Sequence, residues 1–201
     1  MAGPAVIVID TIEDFFQKGE LGQHRERLVA HINELTSLAR RRDVPVIWVR
    51  QEFEPDLSDA FLAMRKRNIS IAIADTQGSR ILTELEKGTA DREIVKKRYS
   101  AFFQTRLDEL LEQLDIDTII VCGVNTHACV RTTAIDAYQR DYEVILAIDC
   151  IASYDEQHHR VSVNYLTRAI ERASVCPACD LLFAGMLKGH VVEIIPIAAY
   201  D

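Results

Sequence analysis

The fold is most clearly indicated by residues 118–140, which read TIIVCGVNTHACVRTTAIDAYQR. The segment opens with an apolar run, Thr118–Val121, and short runs without polar alternation are typical of parallel strands covered on both faces. A glycine follows the run, and a helical pattern then extends over His127–Arg140. The segment is therefore predicted to supply one strand and one helix of a βαβ unit.

The same alternation of strand-like and helix-like segments continues along the chain. The apolar runs are Ala5–Ile9, Val44–Val49, Glu93–Val95, Thr118–Val121 and Val144–Ile148. The helix-like stretches are Arg25–Arg41, Arg80–Leu85, Arg106–Leu114, His127–Arg140 and His158–Ala173. This order predicts an α/β fold: a three-layer, doubly wound, mostly parallel sheet with helices on both faces. The polar stretch Arg50–Gly78 is predicted to be an excursion that lines a pocket.

The composition limits the classes of function. Among 201 residues, 31 Asp and Glu exceed 23 Lys and Arg, and an acidic chain argues against nucleic-acid binding. No apolar run reaches the roughly 18–20 residues that cross a bilayer, and the first ten residues lack the basic start of a signal peptide. The odd number of scattered cysteines argues against a secreted disulfide framework. We therefore expect a single cytoplasmic domain over residues 1–201, without membrane contact.

Two predicted strands end in charged residues. Asp10 follows Ala5–Ile9 directly, and the carboxyl ends of parallel strands are where such folds bind ligands. Asp10 could equally cap a helix or form a loop salt bridge. Lys96 and Lys97 follow the third run, and because side chains alternate along a strand, only one of them can face the cleft. Taken alone, both lysines are better explained as solvated residues at the sheet edge.

Cys129 lies in the first turn of the helix that follows the fourth run. Unpaired backbone N–H groups and the positive end of the helix dipole both stabilise a thiolate there. They are expected to lower the thiol pKa below its ordinary value of about 8.5. The alternative is a small, buried, unreactive cysteine. A second motif, Cys176-Pro177-Ala178-Cys179, could be a redox pair or half of a zinc site, but its place after a long helix favours a non-catalytic role.

Three strings of residues together resemble the isochorismatase-like superfamily of cysteine hydrolases, which includes nicotinamidases and N-carbamoylsarcosine amidohydrolases. They are VIDTIEDFF at residues 8–16, IVKKRYSAFFQTRLDELL at 94–111, and IDTIIVCGVNTHACVRTTAIDAYQRDYEVILAIDCIASYD at 116–155. The resemblance extends from about residue 5 to about residue 175. It implies the α/β sheet predicted above and hydrolysis of a small amide or ureido C–N bond through a covalent thioester.

The resemblance also implies roles for individual residues. Asp10, Lys96 and Cys129 match the family's catalytic triad, with Cys129 as the nucleophile. The match places a non-proline cis peptide at Val124–Asn125 and an oxyanion hole at the backbone amides of Asn125 and Cys129. The lysine of the family stands three residues before the tyrosine of the YSAF string, which selects Lys96 over Lys97.

The sequence departs from nicotinamidases at their metal site. They carry an Asp-x-His pair after the second strand, where this chain has Val49-Arg50-Gln51-Glu52-Phe53. Carboxylates without imidazole partners are a poor match to a zinc set, so we expect no metal and no cofactor. Ile12 also replaces a glutamine that is usual in the family.

Pocket residues are predicted from their positions at the strand ends. The candidates for substrate binding are Arg50, Gln51, Arg98, Tyr99, Phe102 and Asn125, although Phe102 is better explained by core packing. A guanidinium or amide among them could hold a substrate carboxylate or a urea group.

Other functions remain open at this point. One is vinyl ether hydrolysis of the isochorismatase type, although those enzymes lack the cysteine matched by Cys129. Others are a non-catalytic binding protein on the same fold and a thiol redox protein using Cys176 and Cys179. The resemblance also implies a homo-oligomer, a dimer or tetramer, for which the apolar stretch VVEIIPIAAY at residues 191–200 is a candidate interface.

Overall fold

The computed structural model describes residues 2–17, 19–169 and 173–176, and it contains a six-stranded parallel sheet. The strands are β1 (Gly3–Ile9), β2 (Val46–Gln51), β3 (Arg92–Lys96), β4 (Ile116–Val124), β5 (Glu143–Ala152) and β6 (Ala173–Cys176). The α-helices are α1 (Glu13–Phe16), α2 (Glu20–Arg40), α3 (Leu62–Arg67), α4 (Leu107–Gln113), α5 (Arg131–Tyr138) and α6 (Glu156–Ala169). The prediction of a doubly wound parallel α/β fold is confirmed.

The order of the strands creates a cleft at the centre of the sheet. That order is β3-β2-β1-β4-β5-β6, so the chain leaves β1 in one direction and later returns to its other side at β4. Such a switch point leaves a crevice at the carboxyl ends of the two central strands. Gly123, near the end of β4, packs so closely on β1 that an added Cβ would lie 2.0 Å from the backbone oxygen of Ile9. Gly123 also has φ +106°, which favours glycine.

Two clusters of buried apolar side chains support this cleft. The larger one covers both faces of the sheet and includes the stripe Leu28, Ile32 and Leu35 on α2, which repeats at helical spacing. The smaller one lies under the excursion between β2 and β3, at residues 52–91. Its buried members are Ile12, Phe53, Leu57, Ala60 and Ala72.

Two predicted helices differ in the structure. Arg80–Leu85 is not helical, because Ile81 pairs with Ile12 in an isolated antiparallel bridge and the N–H of Leu82 donates to the oxygen of Thr11. The predicted helix His158–Ala173 spans Glu156–Ala169 instead, and Ala173 begins β6. No helix in the described part of the chain has the length and apolar character needed to cross a membrane.

Two predictions fall on residues that lie outside this description. The first is the role of the CxxC motif, since neither the side chain of Cys176 nor any part of Cys179 is described. The second is the interface at residues 191–200.

Candidate active site

The ends of three strands bring Asp10, Lys96 and Cys129 together. Asp10 follows β1 with φ +52°, a left-handed conformation that aspartate adopts more readily than most residues. Its N–H donates to the oxygen of Val49 at 2.7 Å, and its Oδ1 accepts the N–H of Gln51 at 2.7 Å. Both bonds connect Asp10 to the neighbouring strand β2, so the direction of its carboxylate is fixed by the backbone of the sheet.

Lys96 is the centre of the group. Its Nζ lies 2.7 Å from Oδ2 of Asp10 and 3.5 Å from Sγ of Cys129, and it donates to the backbone oxygen of Arg98 at 3.0 Å. The contacts with Arg98 and Cys129 are hydrogen bonds, whereas the contact with Asp10 is an ion pair, because Oδ2 of Asp10 has no hydrogen-bond partner among the described residues. Asp10 and Lys96 are fully buried and Cys129 is 3% exposed. The geometry therefore places an ammonium in contact with both a carboxylate and a thiol.

The electrostatics of the group keep Lys96 charged. Burial by itself lowers the pKa of Lys96, but its electrostatic interactions with Asp10 and Cys129 raise it above its ordinary value overall. Lys97 faces elsewhere and forms an ion pair of 2.7 Å with Asp59. Of the two lysines, only Lys96 contacts the thiol.

The expectation of a low thiol pKa at Cys129 is wrong. The pKa of Cys129 is raised to about 12; burial is the largest cause, and the nearby carboxylate of Asp10 also raises it. Lys96 lowers it, but not enough to reverse the shift. The resting site at neutral pH therefore holds a neutral thiol beside an ion pair, and the thiol must lose its proton as it reacts.

The turn that carries Cys129 is a single π-helical turn, Thr126–Val130, which we call the cysteine turn. The peptide bond before it, Val124–Asn125, is cis, as the resemblance implies. Inside the turn the N–H groups of Ala128 and Val130 donate to the oxygen of Asn125, at 3.0 and 3.2 Å. The turn thus follows β4 directly and presents Cys129 at the sheet's central cleft.

The side chain of Gln51 adds a hydrogen-bond donor without an acceptor among the described residues, next to the group formed by Asp10, Lys96 and Cys129. It ends β2 in register with Lys96 on β3, and paired residues of neighbouring strands project from the same face of a sheet. The side chain of Gln51 is buried, and its Nε2 has no hydrogen-bond acceptor among the described residues. A buried amide N–H without a partner is costly, which makes this atom a candidate contact for a bound molecule.

Arg98 and Tyr99 lie at the rim of the site. The guanidinium of Arg98 donates to the backbone oxygens of Asp59 and Lys97, at 2.7 and 2.6 Å, and stacks over Phe61 with 5.2 Å to the ring centroid. The half-exposed ring of Tyr99 packs against Phe61 at a centroid distance of 4.8 Å. These contacts hold the excursion against the end of β3, next to Lys96.

Two predicted pocket residues do not belong to this site. Arg50 is bound to the carboxylates of Glu52 and Glu93 and lines a separate cavity of about 310 Å³, because alternation along β2 turns it away from the face of Gln51. Phe102 is buried in the larger core, where its ring stacks on Tyr142 at 6.1 Å. Arg50 is therefore not a neighbour of the triad, whereas the burial of Phe102 agrees with the core packing that the sequence favoured.

The sequence reasoning missed a set of contacts around the cysteine turn. His127 hydrogen-bonds the hydroxyl of Ser153 and, at 3.1 Å, the hydroxyl of Tyr154, while His159 hydrogen-bonds the hydroxyl of Thr126 at 2.9 Å. The histidine inside the THACV string was the available signal, but nothing in the sequence indicated which partner it would meet.

The position of the metal site in nicotinamidases does not fit a metal here. Val49 and Phe53 are buried apolar residues, and Glu52 is bound by Arg50. Among the described residues, no three His, Cys, Asp or Glu side chains come together in a way that could hold a metal ion. The expectation that the protein acts without a metal stays a prediction.

Comparisons with known proteins agree on one family. The isochorismatase domain matches residues 4–175. An uncharacterised isochorismatase family protein of Bacillus subtilis, YaaI, is 30% identical over 84% of this chain and 91% of its own length. A protein of Arabidopsis thaliana named as a probable inactive nicotinamidase is 30% identical over 79% and 85%. The structure of N-carbamoylsarcosine amidase from Thermoplasma acidophilum superposes with a TM-score of 0.74 at 27% identity, covering 89% of this chain and 97% of that one.

Proposed function

The chain belongs to the isochorismatase domain family, and on that premise we propose that it is a cysteine hydrolase of a small amide or ureido C–N bond, acting through a thioester. The single observation that carries the proposal is the position of the Lys96 ammonium, 2.7 Å from Asp10 and 3.5 Å from Cys129. The similarity to N-carbamoylsarcosine amidase supports the class of bond.

In the first half of the proposed reaction, Sγ of Cys129 attacks the substrate carbonyl carbon while its proton passes to the carboxylate of Asp10. The new C–S bond forms as the C=O electron pair moves onto oxygen. The backbone N–H groups of Asn125 and Cys129 are proposed to stabilise this oxyanion, at about 3–4 kcal/mol for one donor. When the C–N bond breaks, the leaving nitrogen takes the proton from Asp10, and the thioester remains.

The second half returns the enzyme to its starting state. Asp10 takes a proton from water, whose oxygen attacks the thioester carbonyl, and the C–S bond then breaks. The departing sulfur regains the proton from Asp10. Lys96 stays protonated throughout and stabilises whichever of its two neighbours is negative. This order of steps explains why a thiol with a raised pKa can still act as the nucleophile, since no free thiolate has to exist before the substrate arrives.

The substrate contacts are proposed from the residues nearest the triad. Nε2 of Gln51 is a buried donor without an acceptor among the described residues, and it suits the oxygen of a carbonyl or ureido group. Asn125, Arg98 and Tyr99 are the other proposed contacts. The substrate is a small molecule in this proposal, and the active protein is an assembly of identical chains.

A non-catalytic role is the second candidate. It is favoured by one observation, the similarity at 30% identity to a plant protein named as a probable inactive nicotinamidase. A catalytic role predicts that the purified protein releases ammonia from one of a panel of small amides, carbamoyl compounds and ureides, and that Cys129→Ala and Asp10→Asn release none. An inert wild-type protein across that panel, with no acylated Cys129 detected by mass spectrometry, would favour the non-catalytic role.

A further inference from the structure

The cysteine turn is held by contacts from a distant segment as well as by its own backbone hydrogen bonds. No side chain caps its start, and it contains only Thr126–Val130. The segment Ser153–His159, which joins β5 to the first turn of α6, packs against it instead. The position of the nucleophile therefore depends on contacts made by a segment that is distant in sequence.

One imidazole extends from the turn to the segment. His127 hydrogen-bonds the hydroxyl of Ser153 with one ring nitrogen and the hydroxyl of Tyr154 with the other, at 3.1 Å. The N–H of Tyr154 in turn donates to Oδ1 of Asn125 at 3.2 Å. The residues on both sides of Thr126 are thus connected to Tyr154 of the segment, and His127 is connected to Ser153 as well.

A second imidazole extends in the opposite direction. His159 lies on α6, and its Nδ1 meets the hydroxyl of Thr126 at 2.9 Å. Thr126 is fully buried, so its hydroxyl has no water to replace this partner. Burial lowers the pKa of both His127 and His159, which favours the neutral form of both rings.

We propose that His127 and His159 are positioning residues, which act through Thr126 and Tyr154 to hold the cysteine turn at the distance from Asp10 and Lys96 that the reaction requires. This inference rests on the proposed function, because it assigns the imidazoles to the same site. Neither ring touches the reacting atoms in this proposal. Their importance follows from the geometry of covalent catalysis, in which a displacement of about 1 Å can reduce the rate about a hundredfold.

The test compares His159→Leu, Thr126→Val and the double variant with wild type. Each single change removes one partner of the same hydrogen bond, so each should reduce kcat about tenfold with little change in KM, and the double variant should be no worse than either.

His159→Asn, whose amide can replace Nδ1, should recover most of kcat. His127→Phe, which keeps a ring against Tyr154 but loses both hydrogen bonds, should resemble His159→Leu. Gln157→Leu, at an exposed position of the same helix, is the matched control.

A second readout does not need a substrate. When the turn loosens, buried Cys129 should react faster with iodoacetamide, by about two- to twelvefold for one lost hydrogen bond, and His159→Asn should restore the slow rate. If wild type hydrolyses nothing, the proposed function fails while this comparison still decides the role of the imidazoles. Unchanged alkylation and unchanged kcat in His159→Leu and Thr126→Val would overturn the proposal, as would additive losses in the double variant.

Discussion

Replacing Lys96 by methionine tests the charge arrangement at the centre of the site. The change keeps an unbranched side chain of nearly the same length but removes the ammonium that lies 2.7 Å from Asp10, with both groups fully buried. At that distance and an effective dielectric constant of about 20, the lost attraction is about 6 kcal/mol. Part of this lost attraction is regained, because the variant no longer has to bury a charged ammonium. The net cost of breaking a buried ion pair is typically about 3–5 kcal/mol.

The assay is urea unfolding of wild type, Lys96→Met, Asp10→Asn and the double variant. With a slope of about 2 kcal/mol per molar urea, Lys96→Met should lower the midpoint by about 1.5–2.5 M. The double variant should be more stable than Lys96→Met alone, because it no longer buries an uncompensated carboxylate.

The reasoning would be refuted if the urea midpoint of Lys96→Met lay within about 0.3 M of the wild-type midpoint. Such a shift corresponds to a smaller loss of unfolding free energy than even a weak buried ion pair should give. A double variant that is less stable than Lys96→Met would contradict it equally, because the carboxylate would then not be the source of the loss.

Three further outcomes follow from the geometry. Asp10→Asn should abolish turnover yet speed the alkylation of Cys129 at pH 8, because the carboxylate raises the thiol pKa and its removal increases the thiolate fraction. Mass spectrometry measures the alkylation rate, and a slower rate than in wild type would contradict this. Gly123→Ala should destabilise the fold by about 3 kcal/mol or more in the same urea assay, because its Cβ would lie 2.0 Å from the oxygen of Ile9 and φ is +106°. Lys97→Met should change stability by less than about 1 kcal/mol, because its ion pair is partly exposed, and a larger loss would show that this pair stabilises more than surface pairs usually do.

The sequence was sufficient for five of the six strands, whereas β6 was missed because Ala173 was included in the last predicted helix. Asp10, Lys96 and Cys129 were grouped by the resemblance to the family, since each of them taken alone allowed an ordinary structural explanation. Apolar runs without alternation identified β1 to β5, because a strand buried on both faces leaves that pattern regardless of its neighbours. Arg80–Leu85 is predicted to be helical, but the strand-like contact of Ile81 with Ile12 comes from a distant part of the chain. Pattern alone does not reveal such a contact.

The electrostatics of Cys129 could not be read from its position in the sequence. A cysteine at the start of a helix is expected to have a low pKa, and that argument considers only the helix and nearby cations. Burial and the carboxylate of Asp10 act in the opposite direction and are stronger here. Which effect dominates depends on how deeply the sulfur lies, and depth is a property of the packed structure.

The excursion between β2 and β3 has a consequence for how this protein can diverge. Its interior is a separate apolar cluster, in which Phe53, Leu57, Ala60 and Ala72 pack around Ile12. Substitutions there can reshape the excursion while the larger core remains intact, because the two clusters have no buried side chain in common. Phe61 of the excursion packs against Arg98 and Tyr99, so exchanging residues 52–91 between relatives should shift these two proposed substrate contacts while Asp10, Lys96 and Cys129 stay in place.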